Sequence, residues 1–163
     1  MITQERIKEL FTYKSGQLIR IATVSSNAIK GMTAGSLSDN GYLMVRVDGP
    51  LYRVHRLIFL YHHGYLPKYL DHINQKSTDN RIENLRECNL SQNACNSRKQ
   101  ERCSSRIKGV SWCKEKRLWE AEIRINKSRI RLGRFWDEET AAQVVQIARL
   151  KHHGEFANHG GAL

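Results

Sequence analysis

The chain has 163 residues and 18.9 kDa, enough for one ordinary domain or for two or three small modules in series. Lys and Arg number 27 against 16 Asp and Glu, giving a net charge of +11 and an isoelectric point near 9.8, while 40% hydrophobic residues are too many for a wholly disordered chain. No apolar stretch approaches the roughly 18 residues of a membrane span, and MITQERIKEL lacks the cationic-then-apolar start of a signal peptide. A membrane span, a secreted disulfide scaffold and a collagen-like fibre are thereby excluded; the expectation is a soluble intracellular protein that meets a polyanion.

In chain order, Thr3 to Phe11 predicts a short helix, followed by turn-rich sequence with Gly16, Gly31, Gly35 and Gly41. Tyr42 to Val47 alternates and predicts a strand, closed by the turn Asp48-Gly49-Pro50. His55 to His63 predicts a helix stopped by Gly64. From Pro67 to about Asn96 the chain is polar, rich in Asn and Asp, and flanked by apolar residues, a composition that often carries a site. Its expected layout is a short strand ending at Asp71-His72, a long loop, a second strand near Leu85 to Cys88, and a helix from Ser91 with Ser91 as N-cap.

Arg98 to Ser105 is a basic connector. Beyond it Trp119, Ala121, Ile123 and Ile125 alternate with Glu120, Glu122 and Arg124, and Ile130 and Leu132 alternate with Arg129 and Arg131. A period of two on both runs predicts two strands with one apolar and one charged face, and Val110 to Lys114 predicts a third. Asp137-Glu138-Glu139 puts acids at the positive end of a helix whose small-residue face is Ala141, Ala142, Val145 and Ala148, ended by Gly154. A three-stranded sheet backed by that helix buries the apolar face and turns the arginines outward.

Between Ser97 and Phe135 stand thirteen basic and four acidic residues, which carry most of the net charge. Such a density attracts a phosphate backbone through counterion release; the plainer alternative is a basic surface kept for solubility. Cys88, Cys95, Cys103 and Cys113 are separated by six to nine residues without a C-x-x-C pair, so they read as reduced thiols. Whether they bind zinc stays open, although the usual short ligand spacing is missing.

The chemistry is expected in the middle segment. A carboxylate directly before a histidine at a strand end can divide the labour of phosphodiester hydrolysis: Asp71 binds a hard divalent cation, and His72, pointing the other way, deprotonates a water. An amide oxygen from a nearby helix could complete the protein's share of an oxygen-ligand shell. Val54-His55-Arg56-Leu57-Ile58, Asp71-His72-Ile73-Asn74, Asp79-Asn80-Arg81, Asn84-Leu85-Arg86 and Ser91-Gln92-Asn93 resemble, in order and spacing, the HNH nuclease motif of the ββα-metal fold, in its phage and group I intron homing-endonuclease branch. The resemblance implies Asp71 as metal ligand, His72 as general base, Asn84 as the asparagine that pins the loop, and Asn93 as second metal ligand, with Asn96 a weaker candidate. Many members of that family carry a metal-binding histidine where Asn93 stands, and a neutral amide oxygen favours Mg2+ or Mn2+ over softer ions. Arg81 and Arg86 are candidates for holding a phosphate or for stabilising the loop. The plainer alternative for Asn80 and Asn84 is that they are ordinary turn formers, and His55 reads as a packed histidine.

Lys108-Gly109-Val110, Trp119, Ala121-Glu122-Ile123-Arg124, Leu132-Gly133-Arg134-Phe135, Glu138-Glu139-Thr140-Ala141-Ala142 and Gly154-Glu155-Phe156-Ala157-Asn158 resemble the AP2/ERF DNA-binding domain over about Arg106 to His159. That domain lays its sheet in the major groove, which implies contacts from Lys108, Ser111, Cys113, Glu122, Arg124, Arg129, Arg131 and Arg134. Ser111 and Cys113 stand where the family often has arginine, and Arg131 replaces a tryptophan, so no target sequence carries over. Trp112, Trp119, Ile123, Leu132, Phe135 and Phe156 read as core.

The fold expected is α+β: an N-terminal region with an HNH ββα-metal module over 1–96 (motif 54–96), a basic linker over 97–105, and an AP2-like three-stranded antiparallel sheet packed on one helix over 106–159. The function expected is a phage-like homing endonuclease that hydrolyses DNA phosphodiesters with one Mg2+ or Mn2+ per chain. A monomer is expected and should nick one strand of double-stranded DNA; a double-strand break needs a second chain or a second binding event. The competing class is a non-catalytic AP2-type DNA-binding regulator with a decayed nuclease half. A third reading is an RNA-directed or nonspecific nuclease.

Overall fold

Thr3 starts the first helix of the computed structural model, which describes residues 2–96, 104–125 and 128–157. Its hydroxyl accepts the Arg6 N–H at 3.2 Å and so satisfies one of the donors left over at the start of α1 (Gln4–Leu10). The chain divides into two compact units, 1–88 and 89–163. Helices occur with three small sheets in the first unit and with one in the second, as an α+β class requires.

In the first unit, β1 (Phe11–Lys14) and β2 (Gln17–Arg20) form an antiparallel hairpin that the sequence reading left as turn-rich chain. Ser15 and Gly16 both take left-handed backbone, φ 45° and 84°, the combination that suits the twist of a two-residue hairpin turn. Next come β3 (Ser36–Leu37), β4 (Leu43–Arg46) and β5 (Leu51–Arg53), one antiparallel sheet in chain order. The strand predicted over 42–47 is β4, shortened at both ends. Helix α2 (Val54–His63) follows β5 directly and buries Val54, His55, Leu57, Ile58, Phe59 and Leu60. With Ile7, Phe11, Leu18 and Val45 the apolar ones form one core, in which each large apolar side chain contributes on the order of 2 kcal/mol. Against it sit β6 (Tyr69–His72) and β7 (Leu85–Cys88), an antiparallel pair joined by a long loop that ends in a 3₁₀ turn at Ile82–Asn84.

The second unit begins with α3 (Leu90–Asn96), which the sequence reading placed in the first module. Its contacts explain the difference: α3 packs on the 3₁₀ turn Gly154–Phe156, and the Lys108 ammonium donates to the carbonyls of Ala94 and Cys95 at 3.1 and 2.9 Å. The cap also differs from expectation. Asn89, not Ser91, opens the helix: its Oδ1 accepts the Gln92 N–H at 2.9 Å while Gln92 Oε1 accepts the Asn89 N–H at 2.7 Å. The antiparallel sheet of β8 (Val110–Cys113), β9 (Leu118–Ile125) and β10 (Ser128–Phe135), in the order β10-β9-β8, packs on α4 (Glu138–His153). Val110, Ala121, Ile123, Ala141, Ala142 and Val145 make the core between them. Phe156 and Ile123 are buried, whereas Trp119, Leu132 and Phe135 are half-buried at the core edge and Trp112 lies edge-on to Trp119. Most of the predicted linker, residues 97–103, and the last residues of the predicted domain, 158–159, lie outside the described residues.

Candidate active site and nucleic-acid interface

The β6–β7 register sets the first site. Asp71 stands directly across from Arg86, and His72 across from Leu85. Opposite charges so placed attract, and the Arg86 Nε and Nη2 both donate to Asp71 Oδ2, at 3.1 and 3.0 Å, with little solvent on either side chain. Arg86, a candidate phosphate contact by sequence, is thus engaged with the carboxylate proposed to bind metal.

Side chains alternate along a strand, so His72 leaves β6 on the face opposite Asp71. Its ring is buried, and its Nε2 lies 2.9 Å from Asn80 Oδ1. An amide oxygen only accepts, so in this arrangement Nε2 donates. Behind it His55 and Tyr42 complete an aromatic cluster: the His55 ring meets His72 at 4.9 Å and Tyr42 at 5.3 Å, and the Arg53 guanidinium lies 4.5 Å over the Tyr42 ring. His55 is 3% exposed and its Nδ1 has no hydrogen-bond partner among the described residues. Burial, reinforced by the nearby His72, Arg53 and Arg56, pushes its pKa down to about 3, so it packs as a neutral ring.

Asn84 closes the loop between the strands. Its Oδ1 accepts the Asn74 N–H at 3.0 Å, and its Nδ2 donates to Asn74 Oδ1 at 3.0 Å and to the Asp79 carbonyl at 2.7 Å. Asp79 in turn accepts from Asn74 Nδ2 and from both Nε and Nη2 of Arg81, each near 2.8 Å, which holds its carboxyl well below the usual carboxylate range. Arg81 is exposed and belongs to this loop network. The first unit therefore brings together Asp71, His72, Asn84 and Arg86. Asn93 lies exposed on α3 and Asn96 buried at its end, both in the second unit.

Asn80 is the residue that sequence reasoning missed. It was read as a turn former, which belongs on the surface, yet it is 1% exposed and its carboxamide meets His72. No local pattern distinguishes a buried asparagine from an exposed one inside D-N-R; only the closing of the loop does.

In the second unit the register decides which side chains share a face. Arg124 opposes Arg129, Glu122 opposes Arg131, and Glu120 opposes both Arg134 and Ser111. Opposed residues lie on one face, so Ser111, Glu122, Arg124, Arg129, Arg131 and Arg134 project together. A bulge between Arg131 and Gly133 makes this so by lodging one extra residue opposite Ala121. Glu122 pairs with Arg129 at 3.4 Å and Glu120 with Arg134 at 2.8 Å. Lys108 is not part of this face: it is half-buried, its ammonium occupied by α3, and burial pushes its pKa down to about 8.

Among the described residues no group of three or more His, Cys, Asp or Glu side chains could hold a metal ion, and no helix is long and apolar enough to cross a membrane. Cys88, Cys95 and Cys113 are free thiols, and Cys103 lies outside the described residues.

Residues 52–95, which contain α2, the β6–β7 pair and the start of α3, match the family model described as HNH endonuclease, and this supports an HNH nuclease with DNA as its substrate. The chain is also similar to "Protein 3.8" of Escherichia phage T7, 29% identical over 98 residues that span 58% of this chain and 78% of that protein. No solved structure matches.

Proposed function

We propose that the protein is a metal-dependent, homing-type DNA endonuclease that nicks one strand per monomer, delivered to duplex DNA by an AP2-like sheet. The observation that carries this reading is the adjacency of Asp71 and His72 at the end of β6, on a β6–β7 pair inside the HNH endonuclease match. Asp71 would hold the ion through its carboxylate oxygens, a hard donor that leaves the remaining positions to water and phosphate and suits Mg2+ or Mn2+. A bound divalent cation supplies neutralisation of the charge developing on the scissile phosphate and steadies the leaving oxygen.

The protein's own groups do the rest. His72 takes a proton from the attacking water on a ring nitrogen. Asn84 holds the 74–79 loop in shape through its three hydrogen bonds. Arg86 keeps the Asp71 carboxylate compensated and oriented through two donors to one oxygen. Arg124 and Arg131, together with the ion-paired Arg129 and Arg134, supply a cationic face for the phosphate backbone.

Supercoiled plasmid incubated with Mg2+, with and without EDTA, tests the proposal. Nicked circles that appear only with free metal support it. Plasmid retained on the protein yet never nicked with Mg2+ or Mn2+ would favour the DNA-binding regulator instead. Cuts scattered along a long duplex without preferred positions would remove the homing interpretation and leave a nonspecific nuclease.

A further inference from the structure

Burying a carboxamide inside a polar loop costs free energy unless a partner recovers it. Asn80 is 1% exposed, its Oδ1 lies 2.9 Å from His72 Nε2, and its Nδ2 is buried with no hydrogen-bond partner among the described residues. A residue kept only to make a turn would not be driven this deep with half its hydrogen-bonding capacity unused. Its backbone is held from outside as well. The tip of the β1–β2 hairpin presses on it so closely that a Cβ on Gly16 would stand 2.8 Å from the Arg81 nitrogen and 3.1 Å from the Asn80 carbonyl carbon. Tyr13 of the same hairpin accepts the Ile82 N–H through its hydroxyl at 3.1 Å. The backbone that carries the carboxamide is thus held independently of the histidine it meets.

We infer that Asn80 is the positioning residue that fixes both the orientation and the tautomer of His72. With Nε2–H donating to Asn80 Oδ1, the ring's lone pair resides on Nδ1, and Nδ1 is the nitrogen that receives the proton of the attacking water. The edge-on His55 ring, neutral and 4.9 Å away, packs against the same imidazole. This rests on the reading of His72 as the base, and it adds a residue, an atom and a hairpin to it. Gly16, Tyr13 and Asn80 form one support running from the surface hairpin to the reacting ring.

Long-range proton–nitrogen NMR on metal-free, histidine-15N-labelled protein reads the tautomer directly. The His72 signals are assigned by their loss in His72→Ala. At about pH 8, above the usual imidazole range, the expected spectrum has a pyrrole-type Nε2 and a pyridine-type Nδ1. In Asn80→Leu, of similar size but with no acceptor, both shifts should move toward the average of a ring sampling two tautomers. Mg2+-dependent nicking should then fall on the order of 10²-fold, the scale of a misdirected general base. Asn80→Asp keeps the acceptor and should retain the wild-type tautomer and recover most of the nicking. A protonated Nδ1 in the wild-type protein overturns the inference, as does a folded Asn80→Leu that nicks at the wild-type rate. So does equal loss in the Leu and Asp variants with unchanged ring shifts. If Asn80→Leu does not fold, the wild-type spectrum alone decides. A wild-type protein that shows the expected tautomer but nicks nothing with any divalent ion removes the nuclease reading and upholds the anchor.

Discussion

His55 shows how one side chain couples packing to pH. Its pKa falls from the ordinary 6.5 to about 3, first through burial and then through His72, Arg53 and Arg56. The folded state therefore binds this proton less readily than the unfolded chain. Stability from the neutral ring is fully present above about pH 6.5, erodes as pH falls below it, and is exhausted near pH 3, with a slope of up to about 1.4 kcal/mol per pH unit. Urea titrations between these limits should show that slope in the wild-type protein and a flatter one in His55→Leu. For the neighbouring ring, His72→Ala should lower nicking on the order of 10²- to 10⁴-fold while leaving duplex affinity unchanged; equal loss of both would remove it as the base. The motif spacing made Asp71, His72 and Asn84 legible, because the order of residue types survives in one dimension. The packing of His55 was legible too, from its place on an apolar helix, whereas the burial of Asn80 was not, since it is produced by the loop closing on itself.

At the scale of elements, the helices and the long strands were read where their periodicity is long. The alternation from Trp119 to Ile125 became β9, and Asp137 became the cap of α4, its carboxylate accepting Thr140 N–H and Oγ–H at 2.7 and 2.8 Å. Asp137→Ala should cost about 1 kcal/mol, read as a lower denaturant midpoint without loss of metal-dependent nicking. The β1–β2 hairpin escaped notice because four residues per strand give too few alternations to stand out from a turn-rich stretch. Gly16 was nonetheless a signal, since the second position of such a turn requires left-handed backbone. Gly16→Ala meets both that strain and the Asn80–Arg81 backbone, and should destabilise the protein by about 1–3 kcal/mol in the same measurement.

For the whole molecule, the excess charge resides mainly in the second unit and the proposed base and metal ligand, His72 and Asp71, in the first, so binding and cleavage should separate by mutation. Arg124→Ala combined with Arg131→Ala should weaken duplex binding and reduce the slope of log affinity against log salt by about 2, with no change in the pH dependence of nicking; an unchanged slope would move the contact surface elsewhere. The division into units was only partly legible. A composition change marks the basic connector, but α3 belongs with the later chain through Lys108 and the 3₁₀ turn Gly154–Phe156, contacts that no linear pattern announces. One surplus residue in β10 has the widest consequence, because it reverses parity. Up to it the odd-numbered side chains, Arg129 and Arg131, project with Arg124; past it the even-numbered Arg134 does. Gly133, at φ 148°, gives the strand the slack for that reversal. A valine there would favour unbroken alternation, send Arg134 toward the oily side and Phe135 into water, and leave the net charge at +11. Which arginines share a face of this ribbon is therefore governed by a position that has no side chain at all.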